Sequence, residues 1–272
     1  MTPTSAIAII LARAGSKGVP GKNRAIVGDR PCIAWTIDAA NAAKTVARVV
    51  VSTDDPEIAR IADESECEVV ERPTDLANDT ATVDDAARHA LNIITGGDGH
   101  RGDKPPEKPV PRRAGLAAST PIVILYANVP VRPAGLIDRA VELLVASGAD
   151  SVQSYQPVGK HHPWWTARVD AASGQVRPWE GDILNHGVFR RQDLPPAFIP
   201  DGAVLVVTRR ALFHEVPGVA AGGGPHAFFG ADRRGIINAE GSVVDIDSPM
   251  DLLVADAMLR QGLQEARSSG RA

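Results

Sequence analysis

The chain has 272 residues, 44% hydrophobic and 23% charged, a composition ordinary for a globular protein with room for one large domain. Its formal net charge of −4 argues against a nucleic-acid partner, which calls for a basic surplus, but leaves room for an anionic small substrate held by a local basic cluster. Cys32 and Cys67 lack metal-ligand spacing, so neither a disulfide framework nor a zinc site is indicated. The N-terminal apolar run has no basic lead-in and is short for a signal peptide. No segment approaches the roughly 20 consecutive apolar residues of a membrane-spanning helix. The expectation is a cytoplasmic protein with no membrane or nucleic-acid partner.

Short runs rich in valine and isoleucine at 6–12 (AIAIILA), 46–54, 67–73 and 121–128 predict parallel strands covered on both faces. Helices are predicted between them at 31–44, 55–65 and 82–94. Another follows at 133–148, with Pro133 suited to an early helical position and Gly148 to a C-cap. This alternation is the pattern of an α/β fold with a mostly parallel sheet flanked by helices. Segment 96–120, crowded with Gly, Pro and charge, is expected to be a flexible surface insertion. From 151 the rhythm changes: SVQSYQPV, WTARVD and AVLVVTRR predict strands without full helices between them, hence a smaller inserted subdomain over 151–215. A flexible loop is expected at 218–230, a last strand at 241–247 and a closing helix at 248–263. Ser248 is the capping hydroxyl of that helix, Pro249 its first residue and Asp251 an acid in its first turn.

Three stretches carry chemistry. LARAGSKGVPGKN, Leu11 to Asn23, leaves the first strand at its carboxyl end, where ligands sit in open α/β sheets. Gly15 and Gly18 would let the backbone approach a ligand, and Arg13, Lys17 and Lys22 could neutralise phosphate. The NTPase motif GxxxxGK[ST] fails because Asn23 follows Lys22, and GxGxxG fails because Gly15, Gly18 and Gly21 are spaced by three. By itself the stretch is open between a phosphate cradle and a glycine turn. In VVDID, alternation along a strand puts Asp245 and Asp247 on one face, able to share a hard cation such as Mg²⁺, or to help cap the next helix. In RPTDLANDTATVDD, residues 72–85, a hydroxyl-rich loop leads into a helix. Thr82 and backbone groups could recognise a base, or Asn78, Asp79, Thr80 and Thr82 could serve as turn and cap residues.

LARAGSKGVPGKN resembles the nucleotide-binding signature LARxxSKGxPxKN of the CMP-sialic acid synthetases (acylneuraminate cytidylyltransferases). VVVSTDDPEIARIA, ERPTDLANDTAT, GKHHPWW, RRQDLPPAFIPDGAVLVV and VVDIDSPMDL resemble further blocks of that family, in its order, and together cover most of the chain outside 96–120 and 214–240. The resemblance implies a Rossmann-like nucleotidyltransferase fold forming a single cytidylyltransferase domain over 1–272, with 151–215 as a dimerisation subdomain of a homodimer. It implies CTP and a nonulosonic sugar acid as substrates. Leu11, Ala12, Arg13, Gly15, Ser16, Lys17, Lys22 and Asn23 would form the nucleotide loop, with Arg13, Ser16, Lys17 and Lys22 on the triphosphate. Arg72, Ala81 and Thr82 would lie around cytosine, and Asp245 and Asp247 would hold Mg²⁺. Lys22, Arg13 and Asp247 would carry the catalytic work, and Lys160, His161, His162, Arg191 and Gln192 would help to bind the sugar acid.

Two blocks depart from the family. Where it has QPTSPLR this chain has YANVPVR, so Tyr126, Asn128 and Arg132 border the expected sugar pocket. The family's NGAIY is here Asp201-Gly-Ala-Val-Leu, which brings a carboxylate to that side. These departures keep open another nonulosonic acid (legionaminic, pseudaminic or KDN-like) or Kdo as the acceptor. A nucleotide-binding protein that has lost catalysis is the reading from a different class. The expected reaction joins the sugar's anomeric hydroxyl to the α-phosphorus of CTP and releases pyrophosphate, with positioning and charge neutralisation as the protein's main tasks.

Overall fold

The computed structural model describes residues 5–15, 17–96, 116–220 and 223–268. Its centre is β1 (Ala6–Ala12), every residue of which is buried. Alternation divides the strand between two cores: Ala8, Ile10 and Ala12 face one, and Ile7, Ile9 and Leu11 the other. A strand covered on both faces needs no polar alternation, which is why AIAIILA is a continuous apolar run.

Beside β1 lie β4 (Val46–Thr53) and β6 (Pro121–Tyr126), both parallel to it, and β5 (Glu68–Glu71) extends the sheet beyond β4. On the other side β10 (Phe198–Thr208) runs antiparallel between β6 and β7 (Ser151–Pro157), and β11 (Arg233–Ile237) closes the edge parallel to β7. The order is β11-β7-β10-β6-β1-β4-β5, a seven-stranded sheet with one reversed strand. Two short hairpins lie outside it: β2 (Ile26–Val27) with β3 (Arg30–Pro31), and β8 (Ala167–Val169) with β9 (Val176–Pro178).

Helices α1 (Cys32–Asn41), α2 (Pro56–Glu64) and α4 (Leu136–Ser147) bury Ile33, Ile37, Ile58, Ile61, Val141 and Leu144 on one face of the sheet. Helices α3 (Val83–Ile94) and α5 (Arg209–Leu212) bury Leu91, Ile94 and Leu212 on the other. Local chemistry sets their starts. The Asp55 carboxylate accepts from the amides of Glu57 and Ile58 with Pro56 in the first turn of α2, and Thr82 caps α3 by accepting from the Asp85 amide. The last helix, α6 (Pro249–Ser268), follows a reciprocal cap: the Asp251 carboxylate accepts from the Ser248 amide and hydroxyl, and Ser248 Oγ accepts from the Asp251 amide.

Four expectations need correction. Residues 241–247 form no sheet strand; the edge is β11, whose largely exposed RRGII sequence carries no apolar alternation. Val244 and Ile246 enter a separate cluster with Val27, Cys32 and Ala255, tied by a bridge between Val131 and Val244 and by the Ile246 amide donating to the Asn128 carbonyl at 2.9 Å. Helix α4 starts at Leu136, after Gly135 in the left-handed region at φ 67°, so Pro133 belongs to its lead-in; Gly148 does end it, at φ 68°. The stretch 218–230 is not wholly loose, because Ala227–Phe229 form a turn that buries Phe228 and Phe229 against α5 and its neighbours. The expected 151–215 subdomain starts and finishes within the central sheet: β7 and β10 belong there, and an exposed arm over 158–197 stands between them. Most of the expected 96–120 insertion, residues 97–115, lies outside the described residues. Among the described residues no helix is long and apolar enough to cross a membrane.

Two buried carboxylates fasten β7, β10 and β11. Asp150 accepts from the Ala231 amide at 2.9 Å, the Asp232 amide at 3.1 Å and the Arg210 guanidinium at 2.7 Å. Burial disfavours its ionised form, but these donors together outweigh that and hold its pKa below the ordinary 3.8. Asp201 accepts from Ser154 Oγ and the Ala203 amide on one oxygen, and from Asn238 Nδ2 at 2.7 Å on the other. Asp150→Ala strands two backbone donors and is expected to cost about 3 kcal/mol in a denaturant titration. Because the folded-state pKa of Asp150 is depressed, its contribution is complete above the unfolded value and is lost as pH falls. The stability gap between wild type and Asp150→Ala should therefore narrow as pH drops below 3.8. Asp201→Ala is expected to cost about 2–4 kcal/mol, with Asp201→Asn less damaging because one acceptor survives; an unchanged denaturation midpoint would remove its fastening role.

Candidate functional site

The carboxyl ends of β1, β4, β5 and β6 open on one side of the sheet, and four loops converge there. The first, 13–25, leaves β1 and turns back through Gly21, whose φ of 66° favours glycine. Its turns are closed by the Lys22 amide donating to Val19 O and the Arg24 amide to Gly21 O. Asn23 is buried and donates from Nδ2 to Arg13 O at 3.0 Å, leaving its own Oδ1 without a protein partner. The Ala14 amide donates to Asp54, just past β4, at 2.8 Å. Leu11 and Ala12 are buried at the end of β1 and support the loop from beneath, whereas Gly15 is exposed. Ser16 lies outside the described residues.

This loop meets the acidic segment from the far end of the chain. Lys22 Nζ donates to Asp247 Oδ1 at 2.6 Å and to Ile246 O at 2.7 Å. Gly18 lies so close that a Cβ there would sit 2.1 Å from the Asp247 carbonyl oxygen, so only glycine allows the approach. Asp245 is largely buried. Burial first, and the neighbouring Asp247 charge second, push its carboxyl up to about 6 against the opposing pull of Lys22. A buried carboxylate whose charge is penalised by a neighbouring one suits a cation. Among the described residues no group of three or more His, Cys, Asp or Glu is arranged as a metal site, so a cation here would rest on this pair and on oxygens brought by a substrate.

The base-loop residues form a braced turn. Asn78 Oδ1 accepts from the Thr80 amide at 2.8 Å, the Thr80 hydroxyl at 2.7 Å and the Ala81 amide at 2.9 Å. Thr82 is the cap of α3, and its hydroxyl donates to Asp85 at 2.7 Å. The turn-and-cap chemistry is therefore present at Asn78, Thr80 and Thr82. Asp79 does something else: its carboxylate pairs with Arg13 at 2.9 Å and with Lys17 at 2.7 Å. Arg72 is buried behind this loop, donating to Ser52 O at 2.8 Å and Ser52 Oγ at 3.1 Å, and burial pulls its pKa down to about 10.

The departing block Tyr126 to Arg132 also reaches the acidic segment. Asn128 Nδ2 donates to Asp245 Oδ1 and, at 3.2 Å, to Ile246 O, so Asn128 holds the segment that the sequence expects at a metal. Burial, then the Asp245 charge, push the Tyr126 hydroxyl up to about 12. Arg132 donates to Ala203 O at 3.3 Å and Thr36 Oγ1 at 3.1 Å, and its Nη2 is buried without a protein partner, a donor suited to an anion. Asp201, expected at the sugar pocket, is instead buried in the sheet with both oxygens engaged by internal donors.

The remaining expected sugar residues lie on the 158–197 arm. His162 is buried: Nδ1 accepts from the Trp164 amide at 3.1 Å and Nε2 faces Pro195 O at 3.1 Å, so the tautomer protonated on Nε2 satisfies both. Arg191 pairs with Glu240, and Lys160, His161 and Gln192 are exposed. In the single chain His162 and Arg191 thus have local partners, apart from the Lys22 cluster. Sequence reasoning did not single out Asp54, Ser52 or Thr36, and it gave Asp79 only a turn role. Asp54 carried one signal, its place as the last residue of a predicted strand.

A family described as Cytidylyltransferase has a model that matches residues 7–95, the segment holding the 13–25 loop and the base loop. The chain is 26% identical over 258 residues to an N-acylneuraminate cytidylyltransferase of Escherichia coli, covering 93% of this chain and 51% of that protein. It is 26% identical over 255 residues to a CMP-N,N'-diacetyllegionaminic acid synthase of Legionella pneumophila, covering 93% of this chain and 95% of that one. The chain thus spans about half the length of several curated relatives, 51% and 45% in two cases, and nearly all of another. Among solved structures it is similar to a CMP:2-keto-3-deoxy-manno-octonic acid synthetase complexed with CTP, with a TM-score of 0.62 at 15% identity over 95% of this chain and 99% of that one. The chain is thus similar to cytidylyltransferases over residues 7–95 by family model, over most of its length to curated relatives, and in fold to a solved synthetase.

Proposed function

We propose that the protein transfers the cytidylyl group of CTP to the anomeric hydroxyl of a nonulosonic sugar acid, giving the CMP-sugar and pyrophosphate. The observation that carries this reading is the meeting of Lys22 with the 245–247 segment, which joins a basic loop to a carboxylate pair at one end of the sheet. The names of the relatives, two of which act on sialic or legionaminic acids, support the substrate class.

In the reaction a bond forms from the sugar oxygen to the α-phosphorus, the bond from that phosphorus to the pyrophosphate oxygen breaks, and the hydroxyl proton passes to water. Arg13, Lys17 and Lys22 are the groups able to bind the departing pyrophosphate and offset its charge. Asn23 holds the loop's shape through Arg13 O, and Asn128 fixes Asp245. The braced turn at 78–82 presents Ala81 and Thr82 toward a base, and the free Nη2 of Arg132 is a donor for the sugar carboxylate. Asp245 and Asp247 would hold Mg²⁺, which would relieve the penalty on the buried Asp245 charge. When bound, the ion supplies positive charge at the α-phosphate and acidity to the attacking hydroxyl.

We further propose a homodimer built on the arm, which exposes Val169, Trp179, Ile183 and Phe189, the last at 86%. A second copy covering this surface would bring Lys160, His161 and Gln192 toward a neighbouring site. Cys32 and Cys67 are free thiols, which fits a reducing, cytoplasmic setting.

The test is a pyrophosphate-release panel with Mg²⁺, each NTP and several 2-keto-3-deoxy acids. Release is expected with CTP and a nonulosonic acid, and Asp247→Asn should lower turnover about 100-fold with its melting temperature unchanged. No release with CTP and any such acid overturns the reading, and release from CTP alone points to hydrolysis. Sedimentation should show a dimer that Phe189→Asp converts to monomer, and a monomeric wild type at micromolar concentration would dispose of the arm interface.

A further inference from the structure

Every described basic side chain expected at the triphosphate already has a carboxylate against it. Lys22 has Asp247, which belongs to the acidic pair. Arg13 and Lys17 share a third carboxylate, Asp79, at 2.9 and 2.7 Å, one cation on each oxygen. Asp79 comes from the base loop, so a single side chain bridges the loop that would hold phosphates and the turn that would frame the base. The two cations hold its carboxyl below the ordinary range, Lys17 foremost. The turn itself does not depend on that carboxylate: Asn78 Oδ1 braces Thr80 and Ala81, Asn78 Nδ2 donates to Asp75 O at 2.9 Å, and Arg13 also donates to Asn78 O at 3.0 Å.

We infer that Asp79 is a built-in competitor at this loop: it occupies Arg13 and Lys17 in place of the polyphosphate, so that a pyrophosphate unit engages both cations only by displacing it. This rests on the assignment of 11–23 as the triphosphate loop. The physical basis is a competition between anions. The Asp79 pairs are solvent-exposed, with Lys17 at 82%, and exposed pairs are weak enough to exchange. A single carboxylate competes on even terms with a single phosphate that is also well hydrated. It loses to a pyrophosphate unit, which engages both cations and Lys22 together. Asp79 thereby weakens the loop's hold on a pyrophosphate unit, which must displace it, more than on a single phosphate, and so favours release of the pyrophosphate product.

Isothermal titration of inorganic pyrophosphate in EDTA, which keeps the acidic pair free of metal, tests this on wild type, Asp79→Asn, Asp79→Ser and Asp79→Glu. Removing the charge with Asn or Ser should tighten pyrophosphate about three- to tenfold, the size expected for loss of exposed competing pairs, and the gain should shrink in high salt. Asp79→Glu, which keeps the charge, should stay near wild type, and CMP affinity should change less than pyrophosphate affinity in all three. A residue that merely oriented Arg13 would move the result the other way. Equal or weaker pyrophosphate binding by Asp79→Asn and Asp79→Ser overturns the inference, as does an equal gain for CMP; both leave the loop assignment standing. Failure of pyrophosphate to bind wild type and all variants overturns the loop assignment itself, and the inference with it.

Discussion

The ammonium of Lys22 joins two parts of the chain 225 residues apart, and the candidate site exists because of that contact. Its side chain is only 15% exposed, so its charge is shielded from water and depends on what the protein sets against it. Asp247 and the Ile246 carbonyl meet that need, and Gly18 removes the one atom that would keep the two backbones apart. Asn128 completes the arrangement from β6, so the acidic segment is held by a lysine on one side and an amide on the other. The cost shows at Asp245, where burial and a like charge make ionisation unfavourable.

The sheet explains why this contact is possible. Parallel strands β1, β4, β5 and β6 deliver their loops to one end, as the handedness and direction of α/β connections require. The reversed strand β10 lets the chain go out along β7, form the arm, and return through the centre of the sheet before α5. Asp150 and Asp201 fasten this detour near its two ends with internal donors. The chain then crosses β11 and comes back over the open end to place Asp245 and Asp247. The arm and the acidic segment are thus consequences of one topological device.

Charge in the free protein is balanced pair by pair. Lys22 faces Asp247, and Arg13 and Lys17 face Asp79. A basic loop with no ligand would otherwise repel itself; with these partners it keeps a defined shape. The pairs differ in exposure: Lys22 is 15% exposed, whereas Lys17 in the Asp79 cluster is 82% exposed and more open to solvent screening.

Much of this was determined by residues read in order. The apolar run of β1, the Asp55-Pro56 and Ser248-Pro249-Asp251 helix starts, and the family blocks are local signals, and local signals survive in a linear text. The glycine at 18 signals a place of close approach, and alternation in VVDID pairs Asp245 with Asp247. What tertiary structure alone decided is which partner each residue meets. Asp201 looked like a pocket residue because its block does in the family, but here Ser154, Ala203 and Asn238 surround it, and those donors come from three separate segments. Asn128 meets Asp245, and Asp79, expected in a turn, is the counter-ion of two cations. The strand expected at 241–247 failed because its apolar residues serve a side cluster, while exposed RRGII took the edge through backbone hydrogen bonds that carry no side-chain signature. Hydrogen bonds and ion pairs between distant segments depend on distances that only folding sets, and sequence order contains no measure of them.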